Sequence, residues 1–215
     1  MNIQTVQKFN KIVLDIIFGT IMKTLGKMRV LMILCLAPVT LFSQNSGLKI
    51  PVEVEIFIEQ GMTAIALETA DLNGDGTRDY ILVTEKSKPQ PTPDDADDKR
   101  FLLILVRDRA SKLKPAKRSE KVVYCRSCGG AFGDPFDSVE VKRNSFVIYN
   151  YGGSWQRWGD YYQFNYSRRN GTWQLVLVQK TSYDSHNPEQ VETKTFTPKK
   201  FGKIDIANFD PASIP

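Results

Sequence analysis

Four short runs of β-branched and aromatic residues occupy the second half of the chain and leave few architectures open to it. They are Val139-Glu-Val-Lys, Phe146-Val-Ile-Tyr-Asn-Tyr, Tyr161-Tyr-Gln-Phe-Asn-Tyr and Trp173-Gln-Leu-Val-Leu-Val. Such side chains suit a pleated, half-buried surface, and each run has the length of a strand. Arg143-Asn144, Gly152-Gly153 and Asn170-Gly171 punctuate them as turn signals. Asn-Gly between Tyr166 and Trp173 is the strongest hairpin signal, because the tight hairpin turn needs positive φ at both central residues. Upstream, residues 63–69 and 80–84 read as extended segments on either side of a polar loop. Phe101-Leu-Leu-Ile-Leu-Val is a continuous apolar run bounded by charge. No segment holds a helical period for long. The expected fold class is mainly β, an antiparallel sheet with room for a short helix, in a single domain after an N-terminal leader helix.

Two stretches are read less directly. In Pro51-Val-Glu-Val-Glu-Ile-Phe-Ile-Glu, Val52, Val54, Ile56 and Ile58 fall on alternate positions, which predicts a strand, although so Glu-rich a stretch also suits a helix. Residues 87–100, SKPQPTPDDADDKR, have three prolines and no large apolar side chain, and predict a solvated loop. The basic residues between 107 and 121 have no aromatic neighbours for base stacking, so an exposed hairpin is expected there and no nucleic-acid site.

Residues 1–44 differ in kind from the rest. Met28-Arg29 precedes VLMILCLAPVTLF, and Ser43-Gln44-Asn45-Ser46 follows: a positive start, a short apolar core and a small-residue exit, the parts of a secretory signal peptide. Thirteen residues fall short of the roughly 20 that span a bilayer. An uncleaved anchor is the competing reading; cleavage leaves no stable membrane insertion. Residues 1–27 then form an upstream extension with Met28 as a start, and residues 45–215 form the mature domain. The leader holds five of the 29 Lys and Arg and one of the 24 acids, so the remainder carries 24 bases and 23 acids, a net charge of +1. The basic character belongs to the leader and does not argue for nucleic acid. The expected location is periplasmic or extracellular.

Between the first two extended segments lies ADLNGDGTRDYILV, residues 70–83. With Asp71 as position 1, oxygen side chains fall at 1, 3, 5 and 9: Asp71, Asn73, Asp75 and Asp79. Thr77 at position 7 offers its main-chain carbonyl. Calcium takes six to eight hard oxygen ligands at about 2.3–2.6 Å, and alternating side chains on a tight loop supply them, with water completing the shell. Gly74 and Gly76 permit the turns. An EF-hand needs a bidentate Glu at position 12; Leu82 stands there, so no opening switch is expected.

This loop resembles the D-x-[DN]-x-D-G-x-x-D loop of FG-GAP/VCBS-type calcium-binding repeats, which links two strands. The later Cys125-Arg-Ser-Cys-Gly-Gly-Ala-Phe-Gly-Asp-Pro-Phe and Tyr151-Gly-Gly-Ser-Trp-Gln-Arg-Trp are similar to pieces of exported bacterial proteins that carry one such loop. The resemblance implies a calcium cofactor, a β-rich fold and export, and implies no reaction. The loop occurs once, which departs from the repeat pattern of a propeller.

Cys125 and Cys128 allow three readings. Zinc needs two further thiolates or imidazoles, and the chain has one histidine, His186. Thioredoxin-type redox chemistry places the pair at a helix start, against which Gly129-Gly130 and Gly133-Asp134-Pro135 argue. A local disulfide is the favoured reading, contributing on the order of 2 kcal/mol by closing so small a loop. Asp134 and Asp137 read as turn residues rather than site carboxylates. The aromatic stretch from Tyr149 to Trp173 suits cross-strand packing, with Trp155, Arg157, Trp158 and Asp160 as a candidate platform for a glycan or protein partner. His186 reads as a surface-loop residue. The functional expectation is an exported, non-enzymatic β-domain with a structural calcium ion, serving as a binding or envelope module. A secreted hydrolase of glycan or cell-wall polymer, acting through the aromatic stretch, is the alternative.

Overall fold

The computed structural model describes residues 47–87 and 99–214. The leader, its signal-peptide features and most of the acidic loop, residues 88–98, lie outside the described residues. The remainder is mainly β: two antiparallel meanders that share one core. The first sheet runs β1 (Met62–Ala70), β2 (Asp79–Lys86), β3 (Arg100–Arg107) and β4 (Leu113–Ser119), each strand beside the next. The second runs β5 (Phe136–Lys142), β6 (Ser145–Gly153), β7 (Gln156–Ser167), β8 (Thr172–Asp184) and β9 (Val191–Phe196), again in chain order.

The pleat decides which residues meet. Ile81, Val83, Leu102 and Ile104 of the first sheet pack with Val139, Phe146, Ile148, Tyr162, Phe164, Trp173, Leu175 and Val178 of the second. The intervening Leu82, Leu103 and Leu105 face the other way, and are covered with Leu113 and Val54 in a second, smaller cluster. With both faces of β3 covered, its sequence has no reason to alternate, which accounts for the unbroken apolar run. The C-terminal residues complete the main core through Ile206, Phe209 and Ile214. The Phe209 ring meets Tyr162 edge-on at 4.9 Å, and two short 3-10 turns, Ile206–Asn208 and Pro211–Ser213, are capped by Asp205 and Asp210.

Two local expectations are corrected. The alternating stretch after Pro51 forms a helical turn, α1 (Val52–Glu55), instead of a strand. The Pro51 carbonyl accepts the Val54 and Glu55 N–H groups, and only Val54 is buried, while Val52 and Ile56 are 78% and 76% exposed. The alternation therefore lines no sheet face; Glu53 instead accepts a hydrogen bond from the Tyr80 hydroxyl at 2.9 Å and pairs with Arg107. Gly152-Gly153 lies inside β6, and the chain turns one step later at Ser154-Trp155. Gly152 is needed for a close approach: a Cβ there would stand 2.9 Å from the Cα of Gly129 and 2.6 Å from the Trp158 ring. Asn170-Gly171 does lie in the β7–β8 connection, with Tyr166 opposite Trp173, but the connection runs over four residues, 168–171, and of the pair Gly171 alone takes positive φ, +61°.

Candidate functional site

Residues 71–79 join β1 to β2, and their first two carbonyls fasten the loop to the other sheet. The Asp71 carbonyl accepts the Asn144 N–H at 2.9 Å, from the β5–β6 turn. The buried Trp173 indole donates to the Leu72 carbonyl at 2.9 Å, and Leu72 itself is fully enclosed in the core. Arg143 from the same turn pairs with Asp71 at 3.1 Å. The loop thus fastens one sheet to the other at the end where its residue types change from apolar to acidic.

Within the loop the side chains bind its own N–H groups. Asp71 accepts from Gly74 N at 2.7 Å and Gly76 N at 3.1 Å. Asn73 accepts from Asp75 N at 2.9 Å, and its amide donates to Asp75 at 2.9 Å. Asp75 also accepts from the Thr77 N–H at 2.8 Å and the Thr77 hydroxyl at 2.6 Å. Asp79 is fully buried and accepts from Leu72 N at 3.0 Å and Arg107 N at 3.1 Å. Asp71, Asn73, Asp75 and Thr77 therefore form one web, with Asp79 joining beneath through Leu72. Among the described residues, no three acidic, histidine or cysteine side chains converge as a ready metal cluster.

The electrostatics of the web are uneven. Burial raises the pKa of Asp79, against its two backbone N–H partners, and the charges of Asp75 and Asp71 push it further up. Burial also opposes the Asp75 charge, but the Thr77 hydroxyl and N–H and the Asn73 amide outweigh it and hold that carboxyl below the usual range. Gly74 has φ +77°, and a Cβ there would fall 2.3 Å from Asn144 Oδ1. Gly74→Ala is expected to lower stability by more than about 1 kcal/mol, seen as a lower urea midpoint at unchanged slope.

Cys125 and Cys128 stand with their sulfurs at disulfide distance, 1.97 Å. They anchor the 3-10 segment Arg126–Phe132, which packs on β6 at Gly152. The four platform residues divide between places. Trp158 and Asp160 point to the side of β7 that faces Tyr124: the Trp158 ring meets Tyr124 edge-on at 5.6 Å, and Asp160 accepts the Tyr124 and Tyr162 hydroxyls at 2.6 and 2.8 Å. Arg157, one step along the strand, lies on the opposite face with its guanidinium 3.5 Å from the centre of the Phe132 ring. Trp155 stands in the turn, 58% exposed. His186 lies exposed in the turn after β8, 2.9 Å from Asp184.

A charge cluster escaped the sequence reading. Arg100 is 1% exposed and binds Glu85 at 2.7 Å, Asp134 at 2.6 Å and the Tyr124 carbonyl at 3.1 Å. Arg126 closes on the same Glu85. Asp134 caps the turn as expected, accepting Phe136 N at 3.0 Å, and is an ion-pair partner as well. The available signal was Glu85 opposite Arg100 across β2 and β3, which appears only once those strands are aligned. Burial pulls the Asp134 carboxyl up, but Arg100 and the Phe136 N–H outweigh it and leave its pKa lowered. Asp205 is likewise lowered, Thr172, Ala207 N and Lys117 outweighing its burial. A lowered carboxyl stabilises the fold above its unfolded value, and that contribution disappears as pH falls through the lower folded value. Stability is therefore expected to decline as pH drops below the ordinary aspartate value of 3.8, and Asp205→Asn should shallow that decline in acid titrations followed by circular dichroism.

Compared with protein-family models, curated proteins and solved structures, the chain matches none.

Proposed function

We propose that this chain is an exported β-domain, without catalysis of its own, in which a calcium ion braces residues 71–79 and so ties the two sheets together. The observation that carries the reading is the spacing of Asp71, Asp75 and Asp79 along one short loop: their carboxylates do not converge on one point, yet the first two charges add to the burial that disfavours the third. A divalent cation offsets that repulsion. The donor set suits calcium, being entirely hard oxygen. Asp71, Asn73, Asp75 and Asp79 would hold the ion through their side chains and Thr77 through its carbonyl, with water completing the shell. The ion supplies charge balance and rigidity, and no reaction step is assigned to it. Export is supported by the apolar leader in the sequence, and the Cys125 and Cys128 pair suits an oxidising compartment.

Calorimetric titration of calcium into chelator-treated protein is expected to show one saturable site. Asp75→Ala should remove it, and because Asp75 is exposed the variant should fold. A flat titration of the native chain would sink the reading.

A further inference from the structure

The inner face of the second sheet breaks its apolar pattern along one cross-strand row. Asn150 on β6 stands opposite Asp160 on β7, which stands opposite Lys180 on β8. The neighbouring row, Ile148, Tyr162 and Val178, is buried core. Asn150 is only 2% exposed, yet neither its Oδ1 nor its Nδ2 has a hydrogen-bond partner among the described residues. Buried polar groups are nearly always paired, so an amide with both ends unanswered marks a place for a buried water or another small polar guest. A polar row in place of core residues is also the kind of local inconsistency that marks functional sites.

Beside that row the groups assemble into a site. Asp160 and Lys180, with Trp158, line a cavity of about 290 Å3. That volume is near the lower end for small-molecule sites, roughly 300 Å3. The Tyr124 and Tyr162 hydroxyls both come to Asp160 Oδ2 and stand 2.6 Å from each other, fixing the carboxylate and leaving its second oxygen outside that triangle. The lining is balanced in charge, Lys180 and Lys194 against Asp160 and Glu192, so its field selects neither anion nor cation. A carboxylate that accepts, ammonium groups that donate, and an indole ring line it together and match a ligand rich in hydroxyls with an apolar C–H face.

We propose that this cleft binds a neutral saccharide. A sugar ring seats against Trp158, and its hydroxyls are answered by Asp160 and Lys194, which both line the cavity. The residues of the 71–79 loop take no part, so this site stands or falls independently of calcium.

The test is calorimetric titration with three neutral trisaccharides, maltotriose, cellotriose and chitotriose, alongside tryptophan fluorescence. Native protein should give saturable heat and a fluorescence change with at least one of them. Asp160→Asn should weaken that binding by about tenfold or more, the loss expected for a charged hydrogen-bond acceptor. Ser182→Trp places a bulky ring at an exposed position of the cavity wall without touching the tyrosine triangle, and should abolish binding with an unchanged Tm. No saturable signal from any of the three sugars, or binding that survives both substitutions at unchanged Kd, overturns the proposal.

Discussion

Arg100→Ala is expected to lower stability by about 3–5 kcal/mol, the loss seen when one partner of a buried ion pair is removed. The side chain is 1% exposed, and it donates to Glu85 and Asp134 at once. Without it, Asp134 and Glu85 both lose their buried cation, and among the described residues the more exposed Arg126 remains beside them. Both carboxylates then carry charge in a site built to neutralise it, which costs more than the contacts themselves. Urea unfolding of the variant measures the loss, and repeating it in acid separates the two causes. If stranded carboxylates dominate, protonating them recovers part of the difference between native and variant. A loss that is the same at neutral and acid pH assigns it to packing against Phe136, whose ring lies 5.9 Å from the guanidinium.

Trp173→Ala should have a comparable effect, about 3–5 kcal/mol, as a large buried aromatic replaced by a methyl leaves a cavity in the core. Trp173 is 2% exposed and its ring lies 5.0 Å from that of Tyr166. Its indole N–H also holds the Leu72 carbonyl, the point where the acidic loop enters the core. Trp173→Phe separates these roles. It keeps most of the ring and removes the donor, and should cost about 1–3 kcal/mol for leaving a buried carbonyl unpaired. Hydrogen exchange at residues 72–79 is expected to quicken in Trp173→Phe beyond what the global loss explains. Uniform acceleration across both sheets would mean that the indole only fills space.

The hairpins were legible because turn chemistry is local. Asn170-Gly171 and Arg143-Asn144 fix their turns through residues that accept positive φ, and Asn144 does so at +61°. The acidic loop was legible for the same reason, since its alternating oxygens bind N–H groups two to five residues away. What failed depended on partners far along the chain. Alternation after Pro51 suggested a strand, but strand formation needs a neighbour, and the Pro51 carbonyl closed a helical turn first. The four-residue aromatic platform overlooked the pleat itself: Arg157 and Trp158 are adjacent, so they must point to opposite faces. Arg100 read as the end of an acidic loop because its acids come from β2 and from the turn before β5, 15 and 34 residues away. Asn150 gave no sign in the sequence, since an amide between Tyr149 and Tyr151 reads as an ordinary outward-facing strand residue.

Thermal unfolding with saturating calcium, and then with excess chelator, decides whether calcium braces residues 71–79. At a calcium concentration 100 times its Kd, linkage gives about 2.7 kcal/mol of added stability. For a domain of this size that is a rise in Tm of roughly 5–10 °C. That rise is expected in the native protein, with its reversal by chelator and its absence in Asp75→Ala. An unchanged Tm in the native protein, with calcium and with chelator alike, would contradict it.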